Sequence, residues 1–174
     1  MKIKIMFFCL SSLFYVTTLA ETARGTFEFA NATWHSFDKF NGPLVAENGQ
    51  ASQMEVIGGF HRGAAFAFNS TNSLVPDNTE FANEAIIYVE KVGDSVTLKG
   101  RYRYIDNDGD QFHGLIRRNQ GTIKAAGASG NGISVITGGT GKYRGIRGKC
   151  PYDVFYKPQG YMVVPTKCGW LLKP

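Results

Sequence analysis

The chain has 174 residues, 13% of them aromatic, with 19 Lys and Arg against 14 Asp and Glu for a formal net charge of +5. That is one domain's length, enough to bury a core without a metal staple, and no sequence repeat or linker divides it. The charge is uneven: residues 21–98 hold 4 basic and 10 acidic side chains, whereas residues 99–149 hold 10 basic and 3 acidic. Such asymmetry would suit an anionic partner, but arginines alternating with tyrosines on one strand describe a solvated outer face, so no nucleic-acid partner is expected.

Residues 1–20 read as a secretory signal. Lys2 and Lys4 precede an apolar run from Ile5 to Val16, and Thr18, Leu19 and Ala20 put small residues where a signal peptidase cuts. Cys9 lies inside the apolar run without a lipoprotein cleavage context. No second stretch approaches the roughly 20 apolar residues of a membrane span. The expectation is a secreted or periplasmic chain, residues 21–174, with 17 basic and 14 acidic side chains once Lys2 and Lys4 are removed.

From residue 21 onward nearly every segment reads as strand. Residues 25–30 and 53–68 come first, the second with Gly58 and Gly59 at an expected bend, and the Asn-, Ser-, Gly- and Pro-rich residues 31–52 and 69–83 read as long loops. Residues 84–91 lead through a Gly93-Asp94 turn into the clearest strand, 95–105. There Val96, Leu98, Gly100, Tyr102 and Tyr104 alternate with Thr97, Lys99, Arg101, Arg103 and Ile105. The Asn107-Asp108-Gly109 turn joins it to 111–118, and Asn131-Gly132 reads as a hairpin between 121–129 and 133–137. Successive hairpins with glycine-marked bends predict one closed antiparallel barrel over about residues 24–172, since closure removes exposed edges. Val96, Leu98, Tyr102, Tyr104, Phe112 and Ile116 are expected inside.

Cys150 and Cys168 remain after the signal, and export is where disulfides persist. Between them Pro158-Gln159-Gly160 makes a three-residue hairpin loop, with Gly160 as its left-handed residue. That register sets Lys157 opposite Tyr161 and therefore Cys150 opposite Cys168, which predicts the bridge.

Residues 138–148 carry five glycines in eleven positions. Such density marks a strand that bends and passes tight against its neighbours. A phosphate loop is excluded, because Ile136 stands where its first glycine belongs and Tyr143 where Ser or Thr would hold magnesium. The run, with Gly138, Gly139, Thr140, Gly141, Lys142, Tyr143, Gly145 and Gly148, resembles the G-G-T-G-K-[FY]-x-G-[AI]-x-G signature of the allene oxide cyclase and dirigent protein superfamily. The Tyr104-to-Asp110 turn resembles that of secreted bacterial relatives of the cyclase barrel. The resemblance implies an all-β, single eight-stranded antiparallel barrel that shapes an apolar cavity around a lipid-derived or phenolic substrate. The families' active-site carboxylates, asparagines and cysteines have no matching motif here, so the run carries over as a structural element only and catalytic residues stay unknown.

Asp106, Asp108 and Asp110 alternate as at the opening of a calcium loop, but Gln111 replaces its obligatory glycine and Arg117 its closing Glu, so a hairpin turn is favoured. His35, His61 and His113 lack metal spacing, and each reads as a surface or packing residue. Glu28 and Glu55 alternate towards solvent, and Glu90 fits either face. No metal or cofactor is called for. Three functions stay open. A binding module would hold a small apolar or phenolic ligand among Tyr88, Tyr102, Tyr104 and Phe112; a cyclase-like isomerase would need an inward polar group such as Glu90 or His113; a filled barrel would have a structural or protein-interaction role. Dimer and trimer are both open. If Gly100, Gly114, Ala125 and Gly127 leave room inside, a half-open cup is expected at the end away from the Asp106 turn.

Overall fold

Pleated strands turn successive side chains to opposite faces, and only closure gives every strand two partners. A computed structural model describes residues 22–45, 51–92, 95–119 and 130–173. Its eight strands are β1 (Ala23–Val45), β2 (Ala51–Phe68), β3 (Glu80–Val92), β4 (Ser95–Asp106), β5 (Gln111–Asn119), β6 (Gly130–Gly139), β7 (Ile146–Lys157) and β8 (Tyr161–Leu172). Each pairs antiparallel with the next, and β1 also pairs with β8 to close one barrel. The fold is all-β. The segment read as a signal, the strand expected at 121–129, and Ala125 and Gly127 lie outside the described residues, as does the side chain of Val96.

Several local expectations are corrected. Residues 31–45 belong to β1, whose inner face continues from Phe27 and Phe29 through Asn31 and Thr33. Asn131 and Gly132 lie within β6, opposite Asp153 and Tyr152, because Gly132 makes room for the Tyr152 ring: a Cβ there would collide with the phenol. In β2 the buried residues are Ile57, Ala65 and Ala67, so Glu55 shares the inner-face phase and meets Lys39 at 2.7 Å on the rim. Gly58 and Gly59 stay within the strand, and Gly59 is required by close approach: a Cβ there would strike the Ser36 carbonyl and Phe37. Gly100 and Gly114 point inward but leave no empty room, since a Cβ on them would meet Ile87 Cδ1 and the Tyr102 hydroxyl, both at 2.6 Å.

One end of the barrel is filled. Phe27, Phe29, Phe81, Phe112 and Tyr143 are buried there, with ring centroids 4.8–6.3 Å apart among neighbours in tilted, stacked and edge-on pairs. The glycine-rich run seals this end, and not as the single strand expected: it finishes β6, makes a 3-10 turn at Gly141–Tyr143, and enters β7. Gly141 and Gly145 have φ of 50° and 82°, where side-chain-bearing residues are strained.

The acidic β4–β5 turn holds the run in place. Asp106 Oδ1 accepts the backbone N–H groups of Asp108 and Asp110, both at 3.0 Å. Its Oδ2 accepts the Tyr143 hydroxyl at 3.0 Å and the Lys142 ammonium at 2.7 Å, while Asp108 takes the same ammonium at 2.9 Å. Asp110 accepts the Lys142 backbone N–H at 3.1 Å. The carboxylates that look like a calcium loop therefore clasp this chain's own lysine.

At the last hairpin Lys157 faces Tyr161, Tyr152 faces Thr166, and Cys150 and Cys168 form a disulfide with Cα atoms 4.1 Å apart. The expected register holds, except that Gln159 supplies the left-handed residue, with φ 65°.

Replacing both cysteines with Ala is expected to lower unfolding free energy by about 3 kcal/mol, the loop-closure value for the 18-residue separation, measurable by urea titration. Burial alone would raise the Asp106 pKa, but the hydrogen bonds from Lys142 and Tyr143 outweigh it and hold the carboxyl below its ordinary value. Its stabilising effect is present above the ordinary carboxylate range and is lost as pH falls through the depressed value. Asp106→Asn is expected to cost about 2 kcal/mol at pH 7 and to flatten the wild-type loss of stability in that acid range.

Candidate functional site

With the aromatic cluster filling the end near Asp106, the opposite half of the barrel encloses a cavity of about 580 Å³. Its floor is Tyr102 and Tyr104 from β4. Asn83 Nδ2 donates to Asn31 Oδ1 at 3.0 Å, and Asn31 Nδ2 donates to the Tyr104 hydroxyl at 2.7 Å, a chain that crosses from β3 to β1 to β4. Burial pushes the Tyr104 phenol up to about 12 against the opposing effect of the Asn31 bond, and pushes Tyr102 higher still. Both hydroxyls stay protonated and can donate. Ala85, Ile87, Leu98, Val154 and Met162 supply apolar wall.

The upper wall is polar. His35 from β1 and His61 from β2 stand directly opposite in register, with ring centroids 6.4 Å apart. His35 stacks on Phe37 at 4.7 Å and meets Tyr156 edge-on at 5.6 Å. Burial, with a smaller contribution from His35, drives His61 down to about 4; burial lowers His35 too. Both imidazoles are neutral at pH 7. Tyr152 and Tyr156 from β7 flank Arg118 from β5, which is 2% exposed. Lys39 sits at the rim, paired with Glu55.

Buried polar atoms are nearly always hydrogen-bonded. Among the described residues five side-chain polar atoms are buried without such a partner, and four belong to side chains lining this cavity: Thr33 Oγ1, His35 Nδ1, His61 Nε2 and Tyr102 Oη. The Tyr102 hydroxyl lies beside Ser134, whose own hydroxyl donates to the Cys150 carbonyl at 3.4 Å, and it makes no well-formed bond. Polar groups short of partners thus concentrate around the one half of the barrel that side chains do not fill.

Of the residues singled out from sequence, Tyr102 and Tyr104 line the cavity. Phe112 does not. It is fully buried in the aromatic cluster, 5.1 Å from the Tyr104 ring. Tyr88 is corrected to the outer face: Ala85 and Ile87 point inward, so Tyr88 alternates outward, 42% exposed, and its hydroxyl donates to Glu90 Oε2 at 3.3 Å. Glu90 is therefore outside too, and His113 is exposed. Sequence reading took His35 and His61 for surface or packing residues and did not weigh Arg118, yet all three line the cavity. Counting in twos from Phe29, from Ala65 and from Phe112 reaches each of them. Among the described residues no group of three or more His, Cys, Asp or Glu is placed to hold a metal ion, and no helix is long and apolar enough to cross a membrane.

No protein-family model matches the chain, and no curated protein matches it. Fold and site together define a closed antiparallel barrel, plugged at one end and cupped at the other.

Because the folded state resists protonating His61, the unfolded chain binds more protons between pH 6.5 and about 4. Stability is therefore expected to fall on acidification through that window, by up to about 1.4 kcal/mol per pH unit, and His61→Phe to remove most of the slope. Urea titrations at pH 7, 5.5 and 4.5 measure it. An unchanged slope in the variant contradicts the buried, neutral imidazole.

Proposed function

We propose that this barrel is an exported binding module that holds one small apolar or aromatic ligand in its mouth. The carrying observation is the cavity of about 580 Å³, which falls within the roughly 300–1,000 Å³ of small-molecule sites and is lined mainly by rings and aliphatic chains, with a few convergent polar groups. The disulfide suits export, and the eight-stranded closed barrel agrees with the architecture that the glycine-rich run implies through its resemblance to the cyclase and dirigent barrels. A second reading, a cyclase-like isomerase acting on a lipid-derived or phenolic substrate, is favoured by one observation: His35 and His61 are inward, neutral and short of partners, so each offers a bound substrate a polar group that can hydrogen-bond to it.

Ala85 projects inward from β3 between His61 and Tyr102 in register, so Ala85→Phe adds a ring to the cavity. Titration with the neutral fluorophore N-phenyl-1-naphthylamine is expected to show saturable one-to-one binding by the unaltered protein. The variant, folded by circular dichroism, should bind at least about tenfold more weakly, a difference of about 1.4 kcal/mol. Binding that Ala85→Phe leaves unchanged would place the dye elsewhere and leave the barrel a structural or interaction role.

A further inference from the structure

We infer that this protein docks on an anionic lipid surface through the outer face of β1–β5 around the cup; the inference stands on the outside of the barrel and does not need the cup to hold a guest. Exposed apolar side chains scattered singly are ordinary, whereas a contiguous group marks a contact surface. Among the described residues the exposed large apolar side chains are not scattered: all but Phe66 stand next in sequence to a residue that lines the cavity. Trp34 lies between Thr33 and His35, Ile86 between Ala85 and Ile87, and Phe155 between Val154 and Tyr156. The open half of the barrel thus wears an apolar collar outside, while the plugged half buries its rings within.

Register makes one part of this collar a continuous patch with cations along its edge. Phe60 faces Ile86 across β2 and β3, and Ile86 faces Arg101 on β4. Two residues along, Tyr88 faces Lys99, which faces Arg117 on β5. Phe60, Ile86 and Tyr88 are 56%, 58% and 42% exposed. Lys99, Arg101 and Arg117 are exposed too, and among the described residues none of the three forms an ion pair. The carboxylates of β3 are engaged elsewhere, Glu84 by Arg103 at 2.6 Å and Glu90 by the Tyr88 hydroxyl at 3.3 Å. Apolar side chains beside unpaired cations match the two layers of an anionic lipid surface, the acyl boundary and the headgroups. A second copy of the chain is the poorer match, since a two-fold contact sets a patch of one charge sign against itself. Docking there holds the open half of the barrel against the lipid.

The test sediments the purified, disulfide-bonded protein with large vesicles of phosphatidylcholine, alone or with about 30 mol% phosphatidylglycerol. Binding to the anionic vesicles is expected to be about a hundredfold tighter, roughly fivefold for each of the three cations, and to be lost in about 0.5 M salt. Lys99→Gln, Arg101→Gln and Arg117→Gln together should abolish that preference. Phe60→Thr with Ile86→Thr should weaken binding to the anionic vesicles about tenfold or more, whereas Phe66→Thr, at an exposed ring outside the collar, should leave it within about twofold. Circular dichroism checks that each variant is folded. Equal binding to both kinds of vesicle, or a preference that survives loss of the three cations, would overturn the anionic lipid surface. A loss in Phe66→Thr equal to that in the collar variant would overturn the location. A dimer in sedimentation velocity that Phe60→Thr with Ile86→Thr dissolves, without vesicle binding, would give the patch to a second copy and overturn the inference.

Discussion

The interior of an eight-stranded barrel is only as wide as the side chains that enter it, so each inward position either fills the lumen or leaves it open. Here the inward positions divide by size and polarity along the barrel axis. Phe27, Phe29, Phe81, Phe112 and Tyr143 meet at one end, where each buried ring contributes about 1.5–3 kcal/mol by leaving water. At the other end β1, β3 and β6 present Asn31, Thr33, His35, Ala85 and Ser134, which are too short or too polar to close the space. The cup is what remains once the plug is complete.

Two motifs that look functional turn out to serve the plug. The glycine-rich run allows the chain to double under the barrel with positive φ at Gly141 and Gly145 and to deliver Tyr143 to the aromatic cluster. The Asp106 turn then ties that run by its carboxylates to Lys142 and Tyr143. Chemistry-bearing side chains are thus used for architecture at the closed end, and the residues that give the open end its character carry no motif at all.

How much was legible follows from the same division. Strand β4 was readable because Leu98, Tyr102 and Tyr104 are inward and apolar while Lys99, Arg101 and Arg103 are outward and charged. The last hairpin was readable because its loop fixes every pair, Cys150 with Cys168 included. The second half of β1 was not, because its pattern is inverted: Asn31, Thr33 and His35 face in, while Trp34 and Phe40 stand 58% and 62% exposed. In β2 Phe60 and Phe66 are exposed while Gly59 and His61 carry the inner phase, which reversed the reading of Glu55. Alternation was intact in both strands; what failed was the assumption that the apolar side faces in, and it failed where the cavity wall needs polar groups. Arg118 was missed likewise, since a buried guanidinium contradicts composition rules but not the count of two from Phe112.

Plugged below and open above, the barrel offers a guest a tyrosine floor, aliphatic wall, neutral imidazoles and a seated guanidinium within one cup. Methyl-resolved NMR during addition of N-phenyl-1-naphthylamine tests that picture most directly. The account predicts shift changes at Ala85, Ile87, Leu98 and Met162 in the cup, with Ile136 and Ile146 at the closed end and the exposed Ile86 and Ile133 unmoved. Changes concentrated at Ile86 and Ile133, with the cup methyls silent, would contradict it.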